Sequence, residues 1–260
     1  MHLALYKSAK ARMVSRIVIF STSAIIAIML LLSYYGLNVG TFTVIIDNDM
    51  QQVAEVMLSE SDTFAKTSQR LTATQAIDLE CLGQEDYELV VTNPEIKNDI
   101  PQEITAQLED LVGGSQNHEG YFCYTFFVMN TGNVVFDYTM DLNISSSKDN
   151  ADAAVRIMLV WDRDYNIKGS QAADMQKIYA KVQGTKPGQT PGALDYCSDD
   201  KFYSATKIFT ESRPYFTVGT VDKVSILMWI HGWDADAVDE VRSGKLRLSL
   251  RIRITDVLAG

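Results

Sequence analysis

A chain of 260 residues with 47% hydrophobic content has the apolar material for a full core, in one large domain or two small ones. Its 33 acidic residues outweigh 23 basic ones for a net charge of −10, and every acid lies at or after Asp47. Only Lys7, Lys10, Arg12 and Arg16 precede that point, so the remainder sets 19 basic residues against 33 acids, a net of −14 that repels nucleic acid and leaves no basic stripe to offset it.

Residues 1–16 form a short basic tail without acids. The run Ile17–Leu37, IVIFSTSAIIAIMLLLSYYGL, carries no charge and has about the 20 residues that span a bilayer. Tyr34 and Tyr35 sit where an interfacial aromatic belt belongs, and the basic flank predicts a cytoplasmic N-terminus with everything after Leu37 outside. A cleavable signal peptide is the rival reading. It needs small residues at −3 and −1, and the stretch Leu32–Asn38 lacks an A-x-A-like site, which favours an uncleaved signal anchor. Gly36 and Gly40 make a GxxxG at the outer end of the span, read as a flexible exit ahead of a dimer seam. The expected organisation is a cytoplasmic tail (1–16), a single-pass anchor (17–37) in the cell membrane, and an extracytoplasmic domain (40–260).

In that domain, Thr41–Ile46 is strand-like, and Val53–Leu58, Leu71–Leu79 and Glu85–Val91 follow as further, weaker strands. Pro101 followed by QEITAQLEDLVGG predicts a helix, with Ile104, Leu108 and Leu111 on one face and Gly113–Gly114 as its stop. Tyr121–Met129 is almost wholly aromatic or apolar, the pattern of a strand covered on both faces. From Phe136 to Ser145 the pattern alternates, with Phe136, Tyr138, Met140, Leu142 and Ile144 on one side. Between these two runs, Asn130-Thr131-Gly132-Asn133 predicts a tight hairpin with Gly132 at positive φ. Val155–Trp161 alternates again. Met175–Val182 reads as strand or helix, and TKPGQTPG (185–192) as a loop. Strands are expected at 202–209, 215–218 and 224–230, and the last is the cleanest, with Leu246, Leu248, Leu250, Ile252 and Ile254 opposing Lys245, Arg247, Ser249, Arg251 and Arg253. Many short strands, few helices and no βαβ rhythm predict a mainly β fold, an antiparallel sandwich or jelly-roll-like domain with one or two short helices.

Chemistry is sparse. The histidines are His2, His118 and His231, with no HExxH, His-x-His or CxxC spacing, and no GxSxG nucleophile elbow occurs. His231 ends an apolar run and reads as a strand-end surface residue. Cys123 reads as a buried thiol, and Cys81 with Cys197 is the one disulfide worth entertaining. Asp234, Asp236, Asp239 and Glu240 place four carboxylates in seven residues, which would suit calcium, although the EF-hand Gly and Glu positions are missing. The competing reading has Asp234 capping a short helix whose positive end the other acids favour.

The segments YTFFVMNTGNVVFDYTMDLNIS (124–145) and GTFTVIIDN (40–48) resemble the camelysin and TasA-like surface and fibre proteins of Gram-positive bacteria. A Y-x-F-x-V-x-N-x-G strand pattern is fitted by Tyr124, Phe126, Val128, Asn130 and Gly132. The resemblance implies a β-rich, jelly-roll-like domain behind an N-terminal hydrophobic segment, displayed at the surface or assembled into matrix fibres. It also implies a protease label that comes without a metal motif, and this chain has no such motif either. Fibre-forming members release the domain by cleavage, which the missing site here does not support. Two functions follow as expectations. One is an anchored structural or interaction module, self-associating or bound to another surface protein, without catalysis or cofactor. The other is a metal-dependent envelope hydrolase.

Overall fold

In the computed structural model the chain divides into two units, Met1–Val39 and Gly40–Gly260. The residues described are 41–47, 54–74, 81–82, 87–89, 99–101, 111–117, 120–168, 174–182, 200–232, 234, 236–238, 241 and 244–258. The expected anchor at 17–37 lies outside them, and among the described residues no helix is long and apolar enough to cross a membrane. In chain order the strands are β1 (Thr41–Ile46), β2 (Val56–Ser59), β3 (Arg70–Thr74), β4 (Cys81–Leu82), β5 (Tyr87–Leu89), β6 (Asp99–Pro101), β7 (Gly114–Ser115), β8 (Tyr121–Asn130), β9 (Val135–Lys148) and β10 (Val155–Asp162). A four-residue helix, α1 (Tyr165–Lys168), precedes β11 (Met175–Ala180), β12 (Asp200–Lys201), β13 (Lys207–Phe216), β14 (Val221–His231) and β15 (Lys245–Leu258).

Two sheets face each other across one core. The first has the order β13-β9-β15-β1-β3, and the second β12-β11-β10-β14-β8-β2, with β4 and β7 added beside β14 and β8. In the first sheet, β1, β9 and β15 alternate as their sequences require. Phe42, Val44 and Ile46, then Phe136 to Ile144, then Leu246 to Ile254 turn their apolar residues inward. The opposing sheet supplies Phe122, Tyr124, Phe126, Ile157, Leu159, Trp161, Val224 and Ile226 to the same core. Ring contacts join the layers: Phe42 lies 5.8 Å from Phe122, Tyr138 6.0 Å from Trp161, and Tyr179 4.9 Å from Phe209.

The near-continuous apolar runs of β8, β10 and β14 are buried on both faces, as Tyr121–Met129 predicted. Their outward residues Cys123, Met158, Val160, Leu227 and Trp229 form a second apolar cluster with Leu111 and Ile178. The polar exceptions pair with each other, since Thr125 and Ser225 lie opposite in register with hydroxyls 2.6 Å apart.

Several expectations are corrected. The sheets are mixed, not antiparallel throughout: β1 runs parallel to β15, β11 to β12, and β4 to β14. None of these pairs is joined by a tight turn that would force it antiparallel, so tertiary packing sets their direction. The run 121–145 is not a hairpin. β8 and β9 belong to different sheets, and Asn130–Val134 carries the chain across the core. Asn130 fixes this crossing, with Nδ2 donating to the carbonyls of Val134 (3.0 Å) and Phe216 (2.9 Å) and Oδ1 accepting from Gly132 N (3.0 Å). Gly132 is needed for close approach and not for a left-handed φ, because a Cβ there would sit 2.9 Å from Glu55 N. The strand expected at 202–209 begins at Lys207, and the one expected at 215–218 is the end of β13 running on to Phe216. The ambiguous Met175–Val182 is a strand to Ala180. Pro101 ends β6, paired with Tyr87 of β5, and most of the helix predicted after it lies outside the described residues.

Candidate functional site

Three charged groupings stand out among the described residues, and each is assembled from distant segments. The first is the acidic loop after β14. Asp234 is buried against Arg156 of β10, with Arg156 Nη1 donating to Asp234 Oδ2 at 2.8 Å and both side chains nearly inaccessible. Asp234 Oδ1 accepts from Asp236 N at 2.8 Å, and Ala237 N bonds the Asp234 carbonyl, the signature of a turn cap. Both carboxylate oxygens of this calcium candidate are therefore engaged by the protein itself. Asp236 is buried beside it, while Asp239 and Glu240 lie outside the described residues. Among the described residues no group of three His, Cys, Asp or Glu side chains is placed to hold a metal ion.

His231 is corrected from a surface position. It is buried at the end of β14, with its backbone N bonded to the Ala154 carbonyl at 3.0 Å. His118 and His2 lie outside the described residues, as do Cys197 and the side chain of Cys81, so the Cys81–Cys197 pairing does too. Cys123 is the buried free thiol expected, and burial pushes its pKa up to about 12, which keeps it neutral and unreactive at physiological pH.

The second concentration crosses the sandwich at the end where β8, β10 and β13 finish. Asp222 of β14 is fully buried. Its Oδ2 accepts from Tyr138 Oη (2.7 Å), Arg213 Nε (3.0 Å) and Trp161 Nε1 (3.3 Å), and its Oδ1 from Asp164 N (3.0 Å). Arg213 also donates to Asp164 Oδ1 at 2.6 Å and to the Pro214 carbonyl at 2.7 Å. Burial first, then the Asp222 carboxylate, drives the Tyr138 phenol well above its ordinary pKa. Every partner of Asp222 is filled, so this network ties the two sheets and offers no open coordination.

The third lies on the solvent face of the first sheet, where a cleft of about 340 Å³ opens over β13, β9 and β15. Two bulges at one level produce it. Ile208 is the extra residue between the Lys207 and Phe209 pairings with β9, and Ser145 is extra between the Arg247 and Leu248 pairings with β15. Asp141 lies at its floor, 4% exposed. Its Oδ1 accepts from Thr210 Oγ1 (2.6 Å) and Lys207 Nζ (3.0 Å), and Arg253 Nη2 stands 3.5 Å from Oδ2. Burial alone would raise the Asp141 pKa, but the bonds from Thr210 and Lys207 and the nearby cations hold it below the ordinary carboxylate value.

Comparison of the chain with protein-family models, with curated proteins and with solved structures gives no match. The sequence placed Asp141 and the arginines of β15 on outward faces, and the structure makes those strands neighbours. It missed Lys207 and Thr210, since nothing in the sequence announces that β13 pairs with β9. It also missed the Asp222–Arg213 pair, whose members read as ordinary strand-flanking charges.

Proposed function

We propose that the chain is a membrane-anchored, surface-displayed β-sandwich protein that serves as a structural or interaction module and carries out no catalysis. The observation that carries this reading is β1. It starts four residues after the apolar run 17–37 and is held between β15 on one side and β3 on the other. Phe42, Val44 and Ile46 are buried in the core. A pull on residue 40 along the strand axis thus loads two hydrogen-bond ladders at once, which suits a tethered domain. The strand-like segment 40–48 could join its own sheet or a neighbour's, and Thr41–Ile46 of it is an interior strand of its own sheet. Among the described residues the strands at the sheet ends, β13 and β3 in one sheet and β12 and β2 in the other, are the places for self-association, and the crossing of the chain between sheets at β8–β9–β10 and β13–β14–β15 supports a jelly-roll-like topology.

Protease added to sealed spheroplasts should digest the domain while cytoplasmic markers survive, and detergent-purified full-length protein should not hydrolyse casein. Protection of the domain would overturn the surface placement. Casein turnover lost on changing His231 or His118 would favour the hydrolase.

A further inference from the structure

We propose that the cleft on the solvent face of the first sheet binds an anionic saccharide, a sugar chain whose rings carry carboxylates. This inference stands on the cleft and does not depend on the tether. Among the residues lining it the cations outnumber the acids: Lys207, Arg251 and Arg253 stand around the carboxylate of Asp141, with Arg253 also 3.7 Å from Asp47 Oδ2. That local excess sits on a body whose net charge beyond residue 40 is −14, so it is not the trace of a generally basic surface. Asp141 is satisfied by Lys207, Thr210 and Arg253. Arg251 stands directly opposite Asp141 in the ladder, yet it is exposed and makes no ion pair or hydrogen bond among the described residues. Its guanidinium presents a planar fork of donors that matches a carboxylate in bidentate geometry.

The neighbouring groups narrow the ligand class. Asn143 and Ser249, paired in register, line the cleft beside Arg251. The row continues outward through Thr43 of β1, in register with Ser249, and Thr72 of β3, in register with Thr43. Such a rank of small hydroxyl and amide side chains suits a ligand that itself bears many hydroxyls. Beyond the lining, Lys207 Nζ lies over the ring of Tyr203, 5.7 Å from its centroid, and Tyr203 is 74% exposed, so its other face is open to a sugar ring. An acidic peptide fits less well, because the cleft lies on the face of the sheet and not along an unpaired edge where a peptide strand would add.

The test is titration calorimetry of the purified full chain with a galacturonate trimer, with the neutral galactose trimer and inorganic phosphate as comparison probes. The galacturonate trimer should bind with an affinity that falls as salt rises, and the neutral trimer should not bind. Arg251→Ala should weaken binding at least tenfold, Arg251→Lys should recover part of it, and Lys66→Ala, on an exposed loop elsewhere, should change nothing. Because Arg251 is exposed and unpaired among the described residues, its variants should melt like the parent. Absence of galacturonate binding, or binding indifferent to Arg251→Ala, would overturn the proposal. Equal binding of inorganic phosphate would overturn the saccharide assignment and leave a general oxyanion site. Binding of the neutral trimer alone would overturn the role of the charge.

Discussion

Replacing Asp222 by alanine tests whether the two sheets are tied by a closed polar network. The carboxylate accepts four hydrogen bonds, from Tyr138, Arg213, Trp161 and the backbone of Asp164. Breaking a buried charge pair by removing one partner costs about 3–5 kcal/mol. Arg213 would retain Asp164 Oδ1 and the Pro214 carbonyl, which lowers that term. The Tyr138 hydroxyl, the Trp161 indole and the Asp164 amide would each lose an acceptor at roughly 1 kcal/mol or more apiece. The expected loss is therefore about 4 kcal/mol, or roughly 8–16 °C in melting temperature for a domain of this size. Tyr138→Phe removes one donor while leaving Asp222 three others, so it should cost only about 1–2 kcal/mol. Urea unfolding of the parent, both single variants and the double variant gives the coupling energy, which should be about 1 kcal/mol because the two groups bond directly. A loss below about 1 kcal/mol for Asp222→Ala at unchanged m-value, or strict additivity in the cycle, would refute the closed network.

Leu248→Ala should cost about 2–5 kcal/mol in the same assay, since Leu248 is buried in the core between β9 and β1. Gly113→Ala should destabilise more than Gly132→Ala, each within about 1–3 kcal/mol, because a Cβ at 113 would lie 1.8 Å from the Glu60 carbonyl oxygen and one at 132 lies 2.9 Å from Glu55 N. Native-state alkylation at pH 8 read by peptide mass spectrometry should leave Cys123 unmodified, and urea should make it reactive, as its burial and raised pKa require. Asp141 and Asp152 both have folded pKa values below the ordinary carboxylate value, the first through Thr210 and Lys207, the second through Lys181 and Ser147 set against burial. Their stabilisation is complete above the unfolded value of about 3.9 and disappears as pH falls through the folded values. Stability measured from pH 5 downward should therefore decline, and less steeply in Asp141→Asn.

How much was legible in the sequence depended on whether a property is local. Alternation in 136–144 and 246–254 and the unbroken apolar run of 121–129 specify which side chains turn inward, because strand geometry gives a fixed two-residue period whatever the partner. The capping role of Asp234 is local in the same way: a side-chain oxygen needs only the amide two residues on. Partnership between strands is not local. Asn130-Thr131-Gly132-Asn133 has the composition of a hairpin turn, yet β8 and β9 lie in opposite sheets and their apolar residues meet across the core, a choice that the four turn residues do not decide. The parallel seating of β1 beside β15, the bulges that open the cleft at Asn143, and the pairing of Asp222 with Arg213 all join residues set by that packing. Tertiary structure alone decided them, since burying the apolar faces of both sheets together is what brings those backbones and charges into reach.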